Sequence, residues 1–193
     1  MQNRSIMKLT VAGLLIAIGI VIPMFSPAKI IIPPASFTPA SHVAIFVAMF
    51  ISPAMAVLVA FGTTMGFLLG GFPIVIVLRA ATHSVFAFLG SLYLHKISKG
   101  RLFHINNIIF PLGRLSPVNL RVFSLFIALI HAVGEIVVVS VFYFGGNISP
   151  AHLEQGFLMS VLILVGLGTV VHSMVDFEIA NIVVVPLKKQ IDY

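Results

Sequence analysis

The sequence predicts an all-α integral membrane protein: a bundle of about six transmembrane helices with both termini cytoplasmic, forming one membrane domain over residues 1–193. Three observations predict it. Apolar residues make up 60% of the chain against 8% charged, a balance that cannot cover a soluble surface. Apolar runs of roughly 20 residues recur with short connections, which leaves no length for a soluble domain. Basic residues fall almost entirely in alternate connections, as cytoplasmic loops require.

The first helix is expected over residues 6–24, after a short basic start with Arg4 and Lys8. That run is too long for a secretory signal, and no small-residue cleavage site follows it. Pro23 and Pro27 end it. The next connection, residues 26–39, is Pro-rich, carries Lys29 and the triplet Ile30-Ile31-Ile32, and reads as a re-entrant or strand-like loop. A second span over residues 40–51 is too short to cross upright alone. A Ser52-Pro53 turn separates it from the third, residues 54–69, which stops at Gly70-Gly71-Phe72-Pro73. The fourth helix, residues 74–97, leads into the most basic stretch of the chain, from Lys96 to Arg121. The fifth and sixth, residues 120–144 and 153–175 or beyond, are joined by Gly145-Gly146-Asn147-Ile148-Ser149-Pro150.

Counted by connection, one side receives Arg4, Lys8, Lys96, Lys99, Arg101, Arg114, Arg121, Lys188 and Lys189, and the other only Lys29. The termini and the fourth-to-fifth connection are therefore expected in the cytoplasm, and the first-to-second, third-to-fourth and fifth-to-sixth loops outside. The net charge of +6 is thus topogenic, and no nucleic-acid partner is expected. The absence of cysteine excludes disulfides, cysteine metal sites and thiol catalysis. No half of the chain repeats the other, which argues against a self-contained inverted-repeat transporter. No Gly-x-x-x-x-Gly-Lys-Ser/Thr loop occurs, so any ATP is used by other subunits and no cofactor is expected in this chain.

Ionisable residues inside helices are costly in lipid and mark the candidate site. Arg79 lies roughly 9 Å below the outer end of the fourth helix, and Glu135 lies at a corresponding depth on the fifth. Two readings stand side by side: a structural Arg79–Glu135 salt bridge, and an Arg79 fork that holds a ligand carboxylate in exchange with Glu135. His83 follows Arg79 by one turn and His131 precedes Glu135 by one turn, so two faces converge on one cavity. Each histidine is either a satisfied interior hydrogen-bonding group or a ligand contact. His42, with Ser41 and Thr38, opens the second helix as a cap or as a ligand contact. Phe72, Tyr143 and Asn147 sit at outer loops or helix ends, where they could cover a ligand.

His172 and Asp176 are four apart on the sixth helix, with Glu178 and Asn181 beyond, at a depth expected to separate them from the outer cluster. They read either as a buried pair fixing that helix or as a contact for a cytoplasmic-side partner. On the first helix Gly13 and Ala17 form a flat stripe for another helix, within this bundle or from a partner. Only His83, His131 and Glu135 offer a catalytic metal geometry. No His-Glu-x-x-His spacing accompanies them, so no catalytic residue is expected and the chain reads as a non-enzyme.

Six helices in so short a chain, a long outer loop after the first, and polar groups beneath the outer loops resemble the S components of energy-coupling factor (ECF) transporters. Ala35-Ser36-Phe37-Thr38-Pro39-Ala40-Ser41-His42, residues 46–53 and residues 72–83 look like a vitamin-carrying subgroup from Gram-positive bacteria. The resemblance implies a multi-pass cell-membrane protein that captures a small water-soluble vitamin outside. It then delivers the vitamin through a transmembrane scaffold and two cytosolic ATPases. The family's Ala-x-x-x-Ala docking surface appears here as Gly13-Leu14-Leu15-Ile16-Ala17. Met1-Gln2-Asn3-Arg4 lacks the early histidine of the cobalt and nickel members, so no metal is expected. An arginine in the outer cavity suits a carboxylate vitamin, and the subgroup implies niacin, with pantothenate as the alternative. A stand-alone proton-coupled transporter using Glu135, His131 or Asp176 is the rival class.

Overall fold

The computed structural model describes residues 2–32, 35–97, 103–105, 108–110, 117–147 and 154–189. Its helices are α1 (Gln2–Phe25), α2 (Val43–Ile51), α3 (Pro53–Leu69), α4 (Ile74–Ile97) and α5 (Pro117–Phe144), then a sixth span. The sixth opens as a π-helix, Leu158–Leu167, and continues as α6 (Gly168–Lys189). Among the described residues four stretches are long and apolar enough to cross a membrane: Ser5–Phe25, Ile74–Lys96, Val118–Phe144 and Leu158–Val184. The all-α membrane bundle of six spans is what the composition predicts.

α2 is apolar all round, and every residue except Val47 is buried. A helix with no polar face belongs inside a bundle, and α2 packs against α1, α3, α4 and α6. The chain turns at Ser52, whose extended backbone breaks the helix while its Oγ accepts the Met55 amide at 3.1 Å. Pro53 then opens α3, where its missing amide costs nothing. The outer surfaces of the long helices carry exposed Leu14, Phe61, Val85, Phe126, Val141 and Val171, as lipid contact requires.

Side-chain pairs fix the helix directions. Arg79 meets Glu135, Thr82 meets Gly134, Gly90 meets Ile127 and Tyr93 stacks on Phe123, so α4 and α5 are antiparallel. His131 meets Ser173 and Phe123 meets Phe177, which sets α6 antiparallel to α5. Ile16 seats on Gly62 and Ile20 on Gly66, so α1 and α3 run the same way. A Cβ at Gly66 would lie 2.1 Å from Ile20 Cδ1, and glycine there lets the two helices touch. His42 beside His83 and Phe46 beside Phe86 set α2 parallel to α4. The six spans therefore alternate in direction.

The strand-like loop exists: β1 (Ile30–Ile32) pairs antiparallel with β2 (Ala35–Phe37), Ile30 opposite Phe37. It lies on the same face as the turns at Gly70–Gly71 and Gly145–Gly146. A second hairpin, β3 (Phe103–Ile105) with β4 (Ile108–Phe110), was not expected and belongs to the opposite face. Helix α5 starts at Pro117 rather than at 120, because proline fits a first helical turn. The sixth span continues to Lys189, in line with the expected end at 175 or beyond. Lys99, Arg101, Arg114, Ile148, Ser149, Pro150 and the expected start of the sixth helix at 153 lie outside the described residues.

Candidate functional site

Three helices each bring an i, i+4 pair of ionisable side chains to one point. Helix α4 supplies Arg79 and His83, α5 supplies His131 and Glu135, and α6 supplies His172 and Asp176. The start of α2 brings His42 between them. Arg79, His83, His131, Glu135, His42 and Asp176 are all buried, as charged and polar groups in lipid must be.

The Arg79 Nε–H donates to Glu135 Oε2. The other carboxylate oxygen, Oε1, lies 3.4 Å from His83 Nε2 and 3.5 Å from His131 Nε2. The expected pair is present, and both expected histidines close on it.

Asp176 keeps the expected contact with His172, whose Nε2 lies 3.4 Å from Oδ2, and does more. Its Oδ1 accepts the Ala40 amide at 2.6 Å, and Oδ2 accepts the His42 amide at 2.9 Å and His42 Nδ1 at 2.9 Å. An aspartate from α6 thus supplies the N-terminal cap of α2, neutralising amides that the helix leaves unpaired. It also holds Ala40, whose φ of 69° is left-handed. His42 makes no side-chain cap bond of its own, so its capping role passes to Asp176. His172 Nε2 lies 3.1 Å from Ser41 Oγ, and its ring centroid is 5.0 Å from that of His42. The depth assigned to His172 and Asp176 from sequence is therefore corrected: they belong to this same cluster. The sixth span, Leu158–Lys189 taken whole, places them near its middle, where the loop before α2 dips to meet them.

A cavity of about 320 Å³ opens above the cluster. Arg79, His83, His131, Glu135, His42 and Phe72 line it as expected. Sequence reasoning did not assign Lys29, Thr63, Phe37 or His172 to it, although all four line it. Thr63 Oγ1 is buried against Gly19 with no hydrogen-bond partner among the described residues, and the buried His131 Nε2 faces Glu135 Oε1 at 3.5 Å. The volume suits a small molecule, and the apolar wall with a few polar groups is the usual composition of such sites. Tyr143 and Asn147 stand outside this lining. Tyr143 packs on Phe144 and Phe157, and the exposed Asn147 amide donates to the Gly145 carbonyl at 3.1 Å. A fifth-to-sixth loop position gives no indication of which way a side chain turns.

Gly13 and Ala17 lie on the exposed face of α1, and a Cβ on Gly13 would meet nothing within 4 Å. Ala12 and Gly19 face the bundle instead, so the Gly13–Ala17 stripe is left uncovered by the described residues.

No family model matches the chain, and no solved structure matches it. A curated protein does: the niacin transporter NiaX of Lactococcus lactis subsp. cremoris (strain MG1363) is 39% identical over 179 residues, which span 93% of this chain and 73% of that protein. This chain belongs to the family of that niacin transporter. The S-component resemblance read from the segments at 35–42, 46–53 and 72–83 points to the same group. Family membership makes the chain a membrane transport protein, and the buried ionisable cluster is the feature a transport function must explain.

Proposed function

We propose that this protein is the substrate-capture S component of an ECF-type transporter for niacin. The observation that carries it is Arg79, a guanidinium buried in the cavity wall and held by a carboxylate that an incoming carboxylate can replace. Nicotinate is a small aromatic carboxylate. Phe37, Phe67 and Phe72 offer its ring apolar walls. The relative's name supports niacin over pantothenate. Capture takes place on the face carrying β1–β2, which the basic-residue count puts outside the cell membrane, in keeping with a Gram-positive host. The first-to-second loop, through β2, and the third-to-fourth loop at Gly70–Gly71 close over the ligand. Delivery runs through a scaffold that docks on Gly13 and Ala17, powered by ATP on two partner ATPases.

Titration of the detergent-purified protein with nicotinate and with pantothenate tests this. Nicotinate should bind submicromolar and pantothenate should not compete. Arg79→Ala should weaken nicotinate at least about 100-fold, the scale for truncating a buried hydrogen-bonded charge. Because that variant strands Glu135, the neutral pair Arg79→Met with Glu135→Gln serves as a folded control that also fails to bind. Tight pantothenate binding, or nicotinate binding that survives in both variants, would overturn the reading.

A further inference from the structure

His42, His83 and His131 form a nearly equilateral triangle. Their ring centroids are 4.7 Å apart on all three sides, with every pair edge-on. One ring nitrogen from each lies within 4.8 Å of the other two, and all three residues are buried. Three ring nitrogens this close are what a metal ion requires, and tetrahedral zinc with Zn–N bonds of about 2.0–2.1 Å draws such nitrogens to about 3.4 Å.

The partners of these rings support that reading. His42 Nδ1 is taken by Asp176, a carboxylate that can only accept, so Nε2 carries a lone pair. A histidine whose far nitrogen donates to a carboxylate is the usual metal-ligand arrangement. His131 Nδ1 lies 3.3 Å from Ser173 Oγ, while its buried Nε2 faces Glu135 Oε1 at 3.5 Å. Charge points the same way. Arg79 contributes +1 and Glu135 and Asp176 −1 each, so the cluster sums to −1 with neutral histidines. A divalent ion reverses that excess, and the resulting positive charge suits an anionic ligand. Asp176 itself is saturated by the Ala40 and His42 amides and His42 Nδ1, which disfavours the alternative group of His42, His172 and Asp176 as the ion's seat.

We propose that His42, His83 and His131 bind a divalent transition-metal ion of the zinc type, with Glu135 Oε1 beside it and a further coordination position open to the cavity. Three imidazoles select zinc, cobalt or nickel over magnesium and calcium, which take oxygen ligands. This departs from the metal-free expectation drawn from the amino terminus, because these ligands lie deep in the bundle. One extension rests on the niacin reading. With the nicotinate carboxylate on Arg79, the pyridine nitrogen, a donor akin to imidazole, fills the open position.

The test strips the detergent-purified protein with a chelator, reloads it with Zn²⁺ or Co²⁺, and measures metal content and the cobalt visible spectrum. About one ion per chain with a tetrahedral, nitrogen-ligated cobalt spectrum is expected. The ion should be lost in His131→Gln and His42→Gln and kept in His95→Gln, whose ring bonds to the Ser91 and Ile51 carbonyls away from the cluster. Asp176→Asn should weaken the metal about 10–100-fold. Folding of each variant is checked by thermal unfolding. A folded wild type that takes up no stoichiometric ion, yet still binds nicotinate, overturns the metal site and leaves the niacin reading standing. For the extension, stripping should weaken nicotinate at least about tenfold and leave benzoate, which lacks the ring nitrogen, unchanged. Equal nicotinate affinity in stripped and loaded protein overturns the extension. Failure of both forms to bind nicotinate overturns the niacin reading, and the ion count still judges the site.

Discussion

Glu135 gives one carboxylate oxygen to Arg79 and sets the other 3.4 Å and 3.5 Å from two histidine Nε2 atoms. If ligand exchange at Arg79 is correct, the apo protein depends on Glu135 for a charge that the ligand can replace. Glu135→Gln keeps the shape and removes the charge, and breaking a buried pair costs about 3–5 kcal/mol. Its apo unfolding temperature should fall, and the nicotinate-induced rise should exceed that of wild type, since the ligand restores the lost anion. An unchanged apo temperature, or a smaller rise, would remove the exchange. The residues of this pair were legible in the sequence because a charge inside an apolar helix has few explanations, and i, i+4 spacing puts His83 and His131 on the same faces. Asp176 was visible only as half of a local pair with His172. Its bond to the Ala40 amide joins residues 136 apart in sequence, and nothing local announces it. Thr63 was missed because a threonine in an apolar helix ordinarily bonds its own backbone, as Thr64 does to the Ala60 carbonyl.

Helix α1 presents small residues to two different surroundings, and the difference is testable. Gly19 faces Thr63, and Ile16 and Ile20 lie over Gly62 and Gly66, whereas Gly13 and Ala17 face outward. Gly66→Leu should therefore lower the unfolding temperature and the yield, because a Cβ there already meets Ile20 at 2.1 Å. Gly13→Leu with Ala17→Leu should leave unfolding and nicotinate binding in detergent unchanged and reduce cellular nicotinate uptake at least about tenfold, the mark of a lost partner surface. Uptake that survives the double substitution would favour a transporter working without a scaffold. From sequence the stripe was visible but its direction was not, since both surroundings use the same spacing. Proline and the isoleucine triplet disclosed the β1–β2 hairpin. The β3–β4 hairpin, with strands of three residues, and the π-helix at Leu158–Leu167 carry no comparable pattern. A change from four- to five-residue hydrogen-bond spacing leaves the apolar composition of a helix untouched.

Across the whole molecule, alternation of the six spans places the cavity, β1–β2 and the turns at Gly70–Gly71 and Gly145–Gly146 on one face, with Ser52–Pro53 and the end of α4 on the other. Hydropathy disclosed this alternation once Ser52-Pro53 was read as a reversal, even though α2 at nine residues is below any spanning length. Which face lies outside depends on the distribution of basic residues, since charge bias on short loops sets orientation. Lys96, exposed at the end of α4, should be cytoplasmic, and Asn147, exposed after α5, should be external. The chain contains no cysteine, so single substitutions read the two faces without background. In intact cells a membrane-impermeant maleimide should label Asn147→Cys and leave Lys96→Cys unlabelled until the membrane is permeabilised. The reverse pattern would open the cavity to the cytoplasm, and a protein that binds its ligand from that side cannot be a capture subunit for uptake.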